Sequence, residues 1–190
     1  MAKATDSKGK TLAAAARLFR QQGYHGTALQ DVLAAGGSPR GSLYFHFPGG
    51  KEEIGEAALT LAGEAVRQAI AHAAETSDSA VTFLTRVARG MAADLEQSGY
   101  REGCPIATTA LETAAQSEAL GAATRGAFQK WENEIKRGLE RFGMTPDDAE
   151  STATTVLSLL EGALLLARTY RSLEPMLRAE QALRLLLRTG

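Results

Sequence analysis

Apolar residues recur along this chain at spacings of three and four, and almost no segment shows the apolar/polar alternation of period two that a half-buried strand needs. That pattern predicts an all-α fold. Leu12, Ala15, Ala16 and Phe19 share one face of a first helix running from about Lys8 to Gln22 and stopped by Gly23, with residues 1–7 expected as a mobile basic arm. The chain has 190 residues, 44% of them hydrophobic, enough for a small N-terminal domain and a larger helical one. It shows no internal repeat and no low-complexity tract beyond richness in alanine.

The densest chemistry lies between Thr27 and Lys51. Thr27 followed three residues later by Gln30 has the spacing of a capping box, Leu29, Val32 and Leu33 form one apolar face, and Gly36 and Gly37 end the helix. Ser38 is placed to cap a second short helix with Pro39 at its first position, where a missing N–H costs nothing. Leu43 and Phe47, four apart, anchor that helix to the core and leave Arg40, Gly41, Ser42 and Tyr44 on the other side. These residues suit a major groove. Arg donates a bidentate pair to guanine, Ser donates or accepts, and Gly41 lets the backbone approach base edges or phosphate. Tyr44 and His46 carry donors for phosphate oxygens, whereas Phe45 and Phe47 are expected in the core. Lys51 sits near the start of a following helix, where the dipole favours an acid. Paired with free backbone N–H groups it would instead form a phosphate site.

The sequence Gly23-Tyr24, then Gly26-Thr27, then Gly41-Ser42-Leu43-Tyr44-Phe45-His46-Phe47-Pro48, then Lys51-Glu52-Glu53 resembles the TetR family of transcriptional regulators. The resemblance implies an N-terminal three-helix DNA-binding domain with a helix-turn-helix over residues 1–50, followed by a helical ligand-binding and dimerisation domain over 51–190, about nine helices in all. It also implies phosphate-contact roles for Tyr44, His46, Lys51 and Thr27. The Phe47-Pro48-Gly49-Gly50-Lys51 spacing is longer than usual for the family and resembles the LmrA/YxaF-like subgroup, as do Gly103-Cys104-Pro105 and Leu111-Glu112.

Charge is distributed in keeping with that assignment. Residues 1–51 hold Lys3, Lys8, Lys10, Arg17, Arg20, Arg40 and Lys51 against Asp6 and Asp31, a net of +5, while the remainder carries −6 for a total of −1. A basic end on an acidic body favours docking one end on a phosphate backbone. Cys104, the only cysteine, allows neither an intramolecular disulfide nor a thiolate zinc cluster, which fits a cytoplasmic protein. Arg17 cuts short the apolar run that begins at Thr11, which excludes a signal peptide, and the apolar stretch Val156 to Ala167 contains Glu161 and is too short to span a membrane. Neither His46 nor His72 has a Glu three residues earlier, so no di-iron motif exists, and no Gly-rich phosphate loop or nucleophile pattern points to an enzyme, a metal or a cofactor.

Beyond Lys51, a long helix is expected from Gly50 to about Glu75, and another capped by Asp78 or Ser79 and ending near Ser98-Gly99. Pro105 should open a short helix. A further helix carries Phe128, Trp131, Ile135, Leu139 and Phe142, and the last two begin at Pro146 and near Leu173. Those last two are apolar on more than one face, which predicts a homodimer through them, with Leu160 and Leu186 as test positions and Gly162 permitting close approach. Two heads related by a two-fold axis require a near-palindromic double-stranded DNA operator.

The resemblance further implies a small-molecule effector, hydrophobic or aromatic, whose binding releases DNA. Phe83, Val87, Met91, Cys104, Ile106, Thr109, Phe128, Trp131, Leu157, Glu161 and Leu164 are the candidate walls, and most of them serve equally well as ordinary core. Glu161, costly to bury unpaired, should meet an Arg, a ligand or the dimer partner. The alternative is a helical small-molecule carrier whose basic end binds nucleic acid without sequence preference.

Overall fold

The computed structural model describes residues 2–38 and 45–187. Among the described residues there are eight helices and no strand: α1 (Ala2–Gln22), α2 (Leu29–Gly36), α3 (Gly50–Glu75), α4 (Ala80–Gln97), α5 (Ala107–Thr113), α6 (Glu118–Arg141), α7 (Pro146–Tyr170) and α8 (Glu174–Leu186). A ninth, expected between Ser38 and Phe47, falls largely on residues 39–44, outside the described residues. The helices group into two compact units, Met1–Glu64 with Cys104–Ala127, and Ala65–Gly103 with Phe128–Gly190.

Several boundaries follow from local chemistry. Ser79 caps α4, its Oγ accepting the Thr82 N–H at 3.2 Å, and Thr145 caps α7 by accepting the Asp148 N–H at 3.3 Å. Pro146, Asp147 and Asp148 follow in the first turn of α7, where fixed φ and negative charge are favoured. Gly37, at φ +63°, ends α2 with paired bonds: its N–H donates to Ala34 O at 3.3 Å, and the Ser38 N–H to Leu33 O at 3.0 Å.

Three boundaries depart from expectation. α1 begins at Ala2, so the expected arm continues the helix. α2 starts after Ala28 with no side-chain cap, because the Thr27 hydroxyl donates backward to the Gly23 carbonyl at 2.7 Å. α5 starts at Ala107, two residues past Pro105, and it is Cys104 that serves its first turn: Sγ accepts the N–H groups of Ile106 and Ala107 at 3.4 and 3.3 Å.

In the first unit α1 packs on α2 around Ala15, Phe19, Val32, Leu33, Phe47, Ile54 and Ala58. The helices approach closely at Gly36, where a Cβ would lie 3.0 Å from Thr11 Cα and 3.2 Å from Thr11 N. In the second unit α8 packs on α4 and α7, with Phe83, Leu84, Leu95, Ile135, Leu139, Leu160 and Leu183 fully or almost fully buried. A bidentate pair ties α8 to α4: Arg89 Nε and Nη2 donate to the two carboxylate oxygens of Glu180 at 2.9 and 2.7 Å. Hydrogen bonding from Arg89 holds the Glu180 carboxyl below the usual carboxylate range. Arg67 and Glu134 join the second half of α3 to α6 at 2.7 Å.

Because the Gly36 contact is with backbone, which cannot rotate away, Gly36→Ala is expected to cost about 1–3 kcal/mol, roughly 2–4 °C of melting temperature per kcal/mol for a chain of this size. Gly90, mid-helix in α4 with open space of at least 4 Å around the position a Cβ would take, is the control: Gly90→Ala should raise stability by about 0.5–1 kcal/mol. Thermal denaturation of the two variants, read by circular dichroism, checks both signs.

Candidate nucleic-acid interface

The segment that leads into the expected reading helix is pinned to α1 by hydroxyls. Ser38 Oγ lies 2.7 Å from Thr11 Oγ1 and 3.0 Å from Ser7 Oγ, while Thr11 donates to the Ser7 carbonyl at 2.9 Å. Ser38 thus anchors the end of α2 to the first helix. Pro39, Arg40, Gly41, Ser42 and Tyr44 lie outside the described residues. Beyond them Phe47 is buried as expected, with Lys8 Nζ 5.4 Å from its ring centroid. Phe45 corrects the expectation of a core aromatic, being 83% exposed. Two residues apart on a helical turn point to nearly opposite sides, so burying Phe47 turns Phe45 outward. His46, half-buried, meets the Phe45 ring edge-on at 5.2 Å.

Thr27 is fully buried, and its hydroxyl hydrogen goes to the Gly23 carbonyl while its oxygen receives Gln22 Nε2 at 3.3 Å. The hydroxyl therefore helps close the turn between α1 and α2. The amides expected to be free around Lys51 are also partly used. The Gly49 N–H donates to Glu53 Oε2 at 2.8 Å, as Glu53 reaches back over the start of α3 in the manner of a capping acid, and the Gly50 N–H donates to Phe47 O at 3.0 Å within the preceding turn.

The Lys51 ammonium itself sits 4.3 Å from the centroid of the Tyr24 ring, a cation–π arrangement. Burial lowers its pKa and the charge of Glu112 raises it. Burial, and then the nearby Glu52, push the Tyr24 phenol upward, keeping that ring neutral beneath the ammonium. Glu112 was not singled out by the sequence beyond its family resemblance. Its Oε2 accepts the His25 backbone N–H at 2.7 Å, a contact across 87 positions that no local pattern signals.

Of the candidate effector residues, Cys104, Ile106 and Thr109 belong to the first unit and Phe83, Val87, Met91, Phe128, Trp131, Leu157, Glu161 and Leu164 to the second. Phe83, Cys104, Ile106, Thr109, Trp131 and Leu164 are buried, and the other five are half-buried. Phe83 packs as core: its ring fills the space beside Gly138, where a Cβ would overlap the ring edge, and it meets Phe142 at 6.3 Å. Phe128 and Trp131 meet edge to face at 5.5 Å. Thr109 is fully buried and its Oγ1 has no hydrogen-bond partner among the described residues, a state that costs about 1–3 kcal/mol.

Residues 12–58 match the family of bacterial regulatory proteins, tetR family, and residues 80–182 match the C-terminal domain of LmrA/YxaF-like transcriptional regulators. The chain is 34% identical over 172 residues to the HTH-type transcriptional regulator LmrA of Bacillus subtilis (strain 168), covering 90% of this chain and 92% of that one. It is 33% identical over 183 residues to the HTH-type transcriptional regulator YxaF of the same organism, covering 96% of each. A TetR transcriptional regulator from Chloroflexus aurantiacus J-10-FL has the same fold, with a TM-score of 0.80 and 30% identity over 96% of this chain and 94% of that one. With its helix-turn-helix segment, its all-helical fold and these relatives, the chain belongs to the TetR family of DNA-binding transcriptional regulators and carries the LmrA/YxaF-like C-terminal domain.

Proposed function

We propose that this regulator is a repressor that binds a near-palindromic operator as a homodimer and leaves it when a small hydrophobic or aromatic effector binds. In this reading residues 1–50 contact DNA and residues 51–190 dimerise and take the effector. The observation that carries it is the second apolar face of the last two helices. Val156, Leu160, Ala163, Leu164 and Ala167 of α7 are buried within the chain, yet Leu165 is 59% exposed and Tyr170 63% exposed. Leu177, Leu185 and Leu186 of α8 are exposed likewise. A groove of about 810 Å³ between α7 and α8 is lined by Leu159, Gly162, Leu166, Tyr170, Pro175 and Ala182 among others, and a Cβ on Gly162 would meet nothing within 4 Å in this chain. An exposed apolar row beside a groove of this kind, with Ser158, Ser172, Glu174 and Arg178 among its polar lining, fits a surface that a partner covers. Leu160, expected at the interface, instead belongs to the protein's own core.

Dimerisation would set two reading heads about one helical turn of DNA apart, roughly 34–36 Å or a multiple. Arg40 would read a base edge, and Lys51, with His46 and Tyr44, would hold phosphate. For the effector, the unpartnered Thr109 hydroxyl favours a ligand with one polar group on an apolar body.

Selection of bound duplexes from a random pool at two salt concentrations tests the operator reading: a recovered palindrome supports it, and binding without enrichment that vanishes as salt rises favours the nonspecific carrier. Lys51→Ala should weaken binding to all duplexes alike and reduce the salt slope by about 0.9, whereas Arg40→Ala should relax the preferred sequence at one position by about 1–3 kcal/mol. Leu166→Glu is expected to convert a dimer to a folded monomer by light scattering. Leu160→Glu should unfold the chain instead, and a folded dimer with Leu166→Glu would place the interface elsewhere.

A further inference from the structure

Glu112 stands on α5, far downstream of residues 12–58 that match the family's DNA-binding segment, yet its carboxylate is built into the turn between α1 and α2. Oε2 accepts the His25 N–H at 2.7 Å. Oε1 occupies the space beside Gly23 that a Cβ would take, so the turn admits this carboxylate only because residue 23 is glycine. The next residue, Tyr24, carries the Lys51 ammonium on its ring. Two further contacts join the same segment to the start of α3. The Ser117 hydroxyl donates to Glu52 Oε1 at 2.5 Å, and Leu120 and Tyr24 close over Gly55, where a Cβ would lie 2.9 and 3.0 Å from them.

An acidic side chain near a DNA-facing surface ordinarily weakens binding by repelling phosphate. Glu112 has a different use, because one oxygen is committed to the His25 backbone amide and the other lies against Gly23, next to the Tyr24 ring that carries the Lys51 ammonium. We propose that Glu112 is a positioning residue for DNA binding: it holds the turn at Gly23 to Thr27 and, through the Tyr24 ring, sets the Lys51 ammonium where it meets phosphate. The inference rests on the reading of Lys51 as a phosphate contact. It makes the DNA-binding head depend on a side chain from outside its own segment.

The experiment titrates a fluorescent random-sequence duplex at several salt concentrations with the full-length protein and its Glu112→Ala, Glu112→Gln, Lys51→Ala and doubly substituted Lys51→Ala/Glu112→Ala variants. Glu112→Ala is expected to weaken binding and to lower the salt slope by about 0.9, the loss of one phosphate contact, although it removes a negative charge. Glu112→Gln keeps an acceptor for the His25 N–H and should retain the wild-type slope, and the double variant should bind no worse than Lys51→Ala alone, since both changes act through one contact. Binding by Glu112→Ala as tight as or tighter than wild type, with Lys51→Ala weakened, would overturn the proposal and make Glu112 a bystander charge. An equal loss from Glu112→Ala with and without Lys51 would overturn it as well. If Lys51→Ala keeps the wild-type slope, the phosphate reading of Lys51 fails first and the inference falls with it.

Discussion

An eight-residue helix does not persist by itself in water, because nucleation fixes several residues before hydrogen bonds offset the loss of freedom; isolated helices below about 12–15 residues are marginal. α2 has eight residues, so it stands only because α1 and the start of α3 bury its apolar face. The approach is close enough that Gly36 meets the backbone at Thr11. Two described residues that flank 39–44 are tied to the same packing: Ser38 is hydrogen-bonded to Thr11 and Ser7, and Phe47 lies in the same core.

The turn before α2 is held by polar groups. The Thr27 hydroxyl closes onto the Gly23 carbonyl from within, and the Glu112 carboxylate takes the His25 amide from outside. A charged acceptor on a backbone N–H makes a stronger hydrogen bond than a neutral one. The same carboxylate acts on Lys51, where burial favours the neutral amine and Glu112 favours the charged ammonium.

In the second unit the apolar surface of the last two helices exceeds what the chain covers. α7 buries one row of residues and exposes another, and α8 does the same. The bidentate Arg89–Glu180 pair links α8 to α4 beside the buried Met176, Ala179 and Leu183.

Much of this was legible in the residues themselves. The three-and-four spacing determined that the chain is helical, and Ser79, Pro146 and Gly37 marked where helices begin and end, because capping and glycine conformations depend on a few neighbouring residues. The motif from Gly23 to Glu53 determined the family. Tertiary structure alone decided that Phe45 faces outward, that Thr27 is buried, that Leu160 is core while Leu165 is exposed, and that Glu112 completes a turn 87 positions away. Burial and long-range hydrogen bonding depend on which elements meet in space, and a helical period states only that one face is apolar, leaving open what will cover it.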